Sequence, residues 1–298
     1  MTTDAATAVL VALRARVQSL HEALDAVETA DAPAPGTAAG LRDAADRLAA
    51  LLSSVPTVLD TERTEPARAS LAELADVAGT VRDAEVLEEL LTDLLSEVPK
   101  ALVSGPLGDR VRRHLRERRA EGADTLAKAV RDEQCGAVVA GVDRLVITPP
   151  LAEGAGAKAP TVLAACARAD DERLTAAVDA VRAAPTVEPG TEPGWPAVRD
   201  AALALAGSAG AAAPEHGKKA AKLASRADEL AGRVDDLLDT VRARRLLVDL
   251  ADLAHRHREP GFTYGVLHAA AARRGEIARV LVEEALDDLA GRKRRSWM

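Results

Sequence analysis

The sequence predicts an all-α protein made of two similar helical lobes, and three observations support that prediction. Leucine, valine and alanine recur at helical spacing through nearly all 298 residues, and no alternating run is long enough to predict a strand. Aromatic residues make up only 1% of the chain, so its core must consist of small aliphatic side chains, which favours close-packed helices. Finally, an Arg-Asp-Ala-Ala segment that opens a helix occurs twice, at Arg42 and at Arg199.

The first lobe is expected to span residues 1–147. Apolar positions from Val9 to Leu24 predict its first helix, and the prolines and the glycine of residues 31–38 end it. Gly79 and Thr80 are interpreted as a joint between two helices. The remaining helices of this lobe are predicted at 38–52, at 65–78, from 82, from 109 and at 135–145.

Residues 148–160 are rich in proline, glycine and alanine, and they predict a linker between the lobes. The second lobe is expected to span residues 161–298, so that the whole chain, 1–298, forms one domain. A second proline-rich loop is predicted at 185–196. The helices of this lobe are predicted at 161–169, 171–183, 197–206, 215–230, 236–257 and 262–289.

Composition excludes several classes of function. The net charge of −8 gives the chain no general attraction for nucleic acid or for an anionic membrane. No apolar run is long enough to span a membrane, and the N-terminal segment does not resemble a signal peptide, so a cytoplasmic protein is expected. Cys135 and Cys166 lie in apolar helical sequence and are expected to be buried free thiols. Without a glycine-rich phosphate loop, a zinc spacing or a nucleophile motif, we expect no enzyme, no cofactor and no metal site.

The repeat extends beyond the first motif. Arg42 and Asp83 are 41 residues apart, and Arg199 and Asp239 are 40 residues apart. Each aspartate is followed seven and eight residues later by a pair of leucines. Two motifs in the same order at nearly the same spacing indicate that the lobes are structural repeats that pack together.

Six segments in order resemble the CHAD family, the conserved histidine α-helical domain: "LRDAADRL", "GTVRDAEVLEELL", "ITPPL", "WPAVRDAALALA", "DDLLDTVRARRLL" and "GFTYGVLHA". The resemblance covers nearly the whole chain. It implies two four-helix bundles related by a pseudo-twofold axis, with a basic central cavity that binds inorganic polyphosphate. The cations that it retains as candidate polyphosphate ligands are Arg42, Arg47, Arg82, Arg199 and Arg244.

The chain departs from this family pattern at the positions expected to bind the ligand. The expected histidines are replaced by Ala39, Pro196 and Leu237, and two expected cations are replaced by Asp46 and Asp200. Four further expected cations are replaced by Ala49, Leu203, Ala204 and Ala206. The sequence therefore predicts a non-enzymatic module whose polyphosphate binding is weakened. The alternative is a scaffold for protein interactions that has lost the ligand.

One further basic segment, "DRVRRHLRERR", begins at Asp109. Arg112, Arg116 and Arg119 share one helix face in it, because they are spaced i, i+4 and i+7. Two interpretations are open. The face binds phosphates or an acidic partner, or it is a solvated surface paired with Glu117 and Glu121.

Overall fold

The computed structural model describes residues 3–29, 34–103, 107–184, 193–291 and 295–298, and within them the fold is all-α, as predicted. The predicted loops at 31–38 and 185–196 lie partly outside these residues. Two short 3-10 turns, Lys100–Leu102 and Glu153–Gly156, accompany the α-helices. The α-helices are α1 (Ala5–Glu28), α2 (Thr37–Ser54), α3 (Thr61–Glu97), α4 (Leu107–Arg131), α5 (Glu133–Ile147), α6 (Ala159–Ala183), α7 (Trp195–His216), α8 (Lys218–Arg256) and α9 (Phe262–Leu289).

Three predicted helix breaks are wrong, because α3, α6 and α8 are continuous. The joint predicted at Gly79 and Thr80 lies inside α3. A Cβ atom at Gly79 would lie 3.6 Å from Cδ of Arg42, so this glycine lies where the Arg42 side chain packs against α3. The breaks predicted near Asp170 and between residues 230 and 236 are likewise helical. In long helices with extensive tertiary contacts, local propensity is a weak guide to where a helix ends.

Helix α7 continues to His216, ten residues beyond its predicted end at Ala206. Alanine-rich sequence favours this extension. Gly207 lies at the crossing of α7 with α2, where a Cβ atom would approach Cα of Leu51 to 3.4 Å and Oγ of Ser54 to 3.5 Å. The small residues beyond the predicted end therefore permit α7 and α2 to approach closely.

Consecutive helices pack on one another in the same order in both halves of the chain. In the first half α1 packs on α2, α2 on α3 and α3 on α4, and in the second half α6 packs on α7, α7 on α8 and α8 on α9. Arg42 and Arg199 thus lie on corresponding helices, α2 and α7. Whether the halves superpose through a pseudo-twofold axis stays a prediction. Across the halves, α2 packs on α7 and α3 packs on α8 and α9.

The segment between α5 and α6 is held against the first half by backbone hydrogen bonds. Asp60 N donates to Pro150 O at 2.8 Å, and Ala5 N donates to Ala157 O at 2.9 Å. The predicted linker region is therefore anchored to the ends of α1 and α3.

The buried apolar side chains of the described residues form three clusters. One lies mainly in the first half, and a second lies mainly in the second half. The third joins the halves, because it contains Leu91 and Leu94 of α3 together with Leu247 and Leu250 of α8. Cys135 and Cys166 are buried and free, as predicted. In the part of the chain that the structure describes, no helix has the length and apolar character needed to cross a membrane.

Candidate functional site

The repeated arginines meet between α2, α7 and α8, and aspartates surround them there. Arg199 donates from Nε to Asp235 at 2.8 Å and from Nη2 to Asp46 at 2.6 Å. Arg42 lies 3.6 Å from Asp46 and 3.2 Å from the other oxygen of Asp235. Asp46 and Asp235 therefore bridge the two arginines. Without such bridging carboxylates, two guanidinium groups this close together would repel each other.

Burial and charge act against each other at this cluster. The Arg199 side chain is only 9% exposed. Burial alone would lower the pKa of its guanidinium, but Asp235 and Asp46 outweigh burial and raise that pKa. Burial would likewise raise the pKa of Asp235, but Arg199, Arg42 and Arg82 outweigh it and hold the pKa of Asp235 below its ordinary value. Arg199 and Asp235 therefore both stay charged near neutral pH.

A second cluster lies between α3 and α8 at the other repeated motif. Arg82 makes two parallel hydrogen bonds to Asp239, the longer from Nη2 to Oδ2 at 2.6 Å, and a third bond to Asp83 at 3.1 Å. Arg242 closes the cluster, with its Nε 3.1 Å from Asp83 and its Nη1 2.7 Å from Asp239. Such bidentate arginine–carboxylate pairs are the strongest type of ion pair and fix both partners in orientation.

A third group extends this arrangement along α2 and α8. Arg47 pairs with Asp43 at 2.7 Å on its own helix and with Asp228 of α8. Arg16 of α1 lies near enough that burial and the charge of Arg47 lower its pKa. We call the three groups together the central ion-pair network: Arg42, Arg47, Arg82, Arg199 and Arg242 with Asp43, Asp46, Asp83, Asp200, Asp228, Asp235 and Asp239.

The charge balance of this network determines what it can attract. Its five arginines face seven aspartates, so the network carries an excess of negative charge. The arginine donors are directed at carboxylates of the same chain. A polyanion entering here would have to displace those carboxylates and overcome their repulsion.

Sequence reasoning identified four of the five arginines and named Asp46, Asp83, Asp200 and Asp239, but it did not predict that these groups pair. Asp228 and Asp235 of α8 and the fifth arginine, Arg242, were not among the candidates. A local signal existed, because α2 and α8 both carry aspartates three or four residues from an arginine of the network. The pairing between helices carried no sequence signal.

The remaining candidates lie elsewhere. Arg244 is 8% exposed, and it lies near enough to His268 of α9 to contribute, after burial, to lowering the pKa of that imidazole. Among the described residues, no carboxylate lies within 4 Å of Arg244, and its buried Nε has no hydrogen-bond partner. Leu237, which replaces an expected histidine, is 1% exposed and belongs to the apolar core of the second half.

Helix α4 carries the other candidates on its surface. Arg112 pairs with Asp109 at 2.7 Å. Arg113, Arg116, Arg118 and Arg119 are exposed, and in the described part of the chain none of them has a carboxylate within 4 Å. The ion pairs expected with Glu117 and Glu121 are therefore not formed. We call these four residues the α4 arginine surface.

Comparison with known proteins shows to which family this chain belongs. The family model of the CHAD domain matches residues 11–248. The chain belongs to the CHAD family. The structure of PptA from Streptomyces chartreusis is similar to this chain, with a TM-score of 0.75 and 23% sequence identity, over 96% of this chain and 100% of PptA. No curated protein matches the sequence.

A plant structure has the same fold. The CHAD domain from Ricinus communis matches with a TM-score of 0.65 and 19% identity, over 96% of this chain and 92% of that domain. At these identities the two likenesses establish the CHAD fold and nothing about the ligand. Among the described residues of this CHAD protein, no three histidine, cysteine or carboxylate side chains are grouped so that they would hold a metal ion.

Proposed function

We propose that this protein is a non-enzymatic CHAD-type binding module that binds polyphosphate weakly through the α4 arginine surface. The supporting observation is the contrast in counter-ions. The arginines of the central network are paired with aspartates, whereas Arg113, Arg116, Arg118 and Arg119 have no carboxylate within 4 Å in the described part of the chain. Only donors without a partner are available to phosphate oxygens at no cost in broken ion pairs.

The binding is weak because a few exposed arginines act against the net charge of −8. Binding of a polyanion to exposed cations depends on counterion release, so the affinity falls steeply as salt is added. At physiological ionic strength the Debye length is about 8 Å, and most of the remaining attraction is screened. We expect binding that is measurable at low salt and mostly lost at physiological salt.

Calorimetric titration with long-chain polyphosphate at two salt concentrations tests this proposal. The variant Arg113→Gln/Arg116→Gln/Arg119→Gln is expected to lose the low-salt binding. Its matched control, Arg14→Gln/Arg168→Gln/Arg273→Gln, removes three exposed arginines of α1, α6 and α9 and is expected to keep most of it. Loss of binding in the control to the same extent would show that only net charge matters. Tight, salt-resistant binding would show that the site lies elsewhere.

A second candidate function is a scaffold for protein interactions that does not bind polyphosphate. The observation in its favour is the negative excess of the central network, at the position where the family resemblance implies a basic cavity. The same titration separates the two candidates, because a scaffold without the ligand shows no heat of binding even at low salt.

A further inference from the structure

A groove lies between the first turns of α3 and helix α5, away from the central network. Its volume is about 350 Å³, and Ala67, Val138 and Leu145 form its apolar wall. Arg63 and Arg144 lie at its edge. This volume is within the range of small-molecule sites in proteins.

The groove has two different ends, because α3 and α5 run in opposite directions along it. The start of α3 meets the segment after α5 through the hydrogen bond from Asp60 N to Pro150 O, 2.8 Å long. Arg63, Arg144 and Thr148 therefore line one end. Ser70 and Gln134 line the other, about 10 Å away, since Ser70 follows Arg63 by seven helical residues.

The charge of the groove is opposite to that of the chain. None of its twelve lining residues is acidic, although the chain carries 47 aspartates and glutamates. Neither Arg63 nor Arg144 has a carboxylate within 4 Å among the residues that the structure describes. Glu62 and Glu65 flank Arg63 in sequence, but neither lines the groove. Asp60 caps α3 by accepting from the backbone N–H groups of Glu62 at 3.0 Å and Arg63 at 3.2 Å.

We propose that this groove binds an apolar carboxylate, a short-chain to medium-chain fatty acid in chemical class. The carboxylate lies at the end formed by Arg63 and Arg144, where two guanidinium groups offer charge-assisted hydrogen bonds. The hydrocarbon chain lies along Ala67 and Val138, where it removes apolar surface from water. The site is independent of the α4 arginine surface and of any polyphosphate binding.

Titration with octanoate, followed by amide chemical shifts, tests whether the groove is the site. Gly141 lines the groove, and a Cβ atom there would have no heavy atom within 4 Å, so Gly141→Leu adds a bulky side chain to the groove from an open position. The matched control is Gly136→Leu, which is in the same helix, is equally open and does not line the groove. We expect saturable binding by the wild type and by Gly136→Leu, and none by Gly141→Leu. Equal binding by both variants, or no saturable shift in the wild type, would overturn the proposal.

A second pair of titrations tests the basic end of the groove, which Arg63 and Arg144 form. The variant Arg63→Gln/Arg144→Gln is expected to bind octanoate about tenfold more weakly, because it loses both charge-assisted contacts. Octanol has the same chain without the charge, and it is expected to bind the wild type more weakly than octanoate does. Equal affinity for octanol and octanoate would refute the assigned role of the arginines.

Discussion

The centre of the molecule and the surface of α4 both present clustered arginines, but their surroundings are opposite. At the centre, Asp46 and Asp235 bridge Arg42 and Arg199, and the pairing is mostly buried. On α4 the arginines are exposed and lack carboxylate partners among the described residues. The difference shows that the number of clustered cations does not by itself predict an anion-binding site. A cluster is available to an anion only where the chain does not itself supply the counter-ions.

The largest expected effect comes from removing one arginine of the centre. Arg199→Ala leaves Asp46 and Asp235 without their closest cation, in a position that is largely buried. Breaking a buried ion pair from one side costs about 3–5 kcal/mol, and we expect that loss in the free energy of unfolding. Urea denaturation followed by circular dichroism measures it.

The matched control for this change is Arg118→Ala on α4, an exposed arginine without a carboxylate partner in the described chain. We expect its free energy of unfolding to stay within about 0.5 kcal/mol of the wild type. Similar losses in both variants would mean that the central pairs contribute no more to stability than a surface charge does.

A second change removes the negative charges that neutralise the central arginines. Asp46→Asn/Asp235→Asn keeps the shapes of the side chains but leaves Arg42 and Arg199 without their bridging charges. We expect a loss of about 3 kcal/mol in stability, because two largely buried cations lose their bridging counter-ions and Arg199 keeps only Asp200, 3.5 Å away, among the described carboxylates. We also expect a gain of about tenfold in low-salt affinity for polyphosphate, measured by calorimetry.

A control of equal charge separates this effect from the change in net charge. Asp25→Asn/Asp179→Asn removes two exposed carboxylates of α1 and α6. We expect it to raise the polyphosphate affinity less than the central variant does. If both variants gain equally, the central arginines are not a latent anion site.

The same comparison explains how far the sequence could predict this molecule. The fold was predictable because helical periodicity and the repeat are properties of the chain itself. The positions of Arg42, Arg82 and Arg199 followed from the repeat. Their pairing did not, since Arg42 and Asp235 are 193 residues apart and meet only when α2 packs near α8. The helix break predicted at Gly79 was wrong for a similar reason. This glycine lies inside α3 and packs against Arg42, which is distant in sequence.

Asp170 is a buried carboxylate that is incompletely paired, and the pH dependence of stability distinguishes it from the fully paired Asp235. It is 0% exposed, one of its oxygens has no partner, and the arginine on the other, Arg173, is half-exposed. Burial raises the pKa of Asp170 to about 6. The folded state therefore binds the proton more tightly than the unfolded state, so this contribution to stability is present below about pH 4 and is lost as the pH rises through 6.

We expect this single group to lower the free energy of unfolding by at most about 3 kcal/mol between pH 4 and pH 7. Asp170→Asn removes the group that titrates, and the difference between wild type and variant is expected to change across that range. Denaturation at pH 4, 5, 6 and 7 measures it. A difference that is independent of pH would show that Asp170 is ionised throughout. Asp235 is the opposite case, since its lowered pKa makes stability fall only as the pH drops below about 4.

The smallest expected effect concerns the glycine against which the central arginine packs. Gly79 lies inside α3, and a Cβ atom there would meet Arg42 Cδ at 3.6 Å, an ordinary van der Waals distance. Gly79→Ala is therefore expected to stabilise the protein by about 0.5–1 kcal/mol, through the helix propensity of alanine. Gly122 of α4 is the comparison, because a Cβ atom there would lie 3.2 Å from Cγ2 of Val81, which is tighter than an ordinary contact. Gly122→Ala is expected to gain less or to lose stability, as measured by thermal denaturation. If Gly79→Ala instead destabilises the protein, Arg42 needs the space beside Gly79 to reach Asp46 and Asp235.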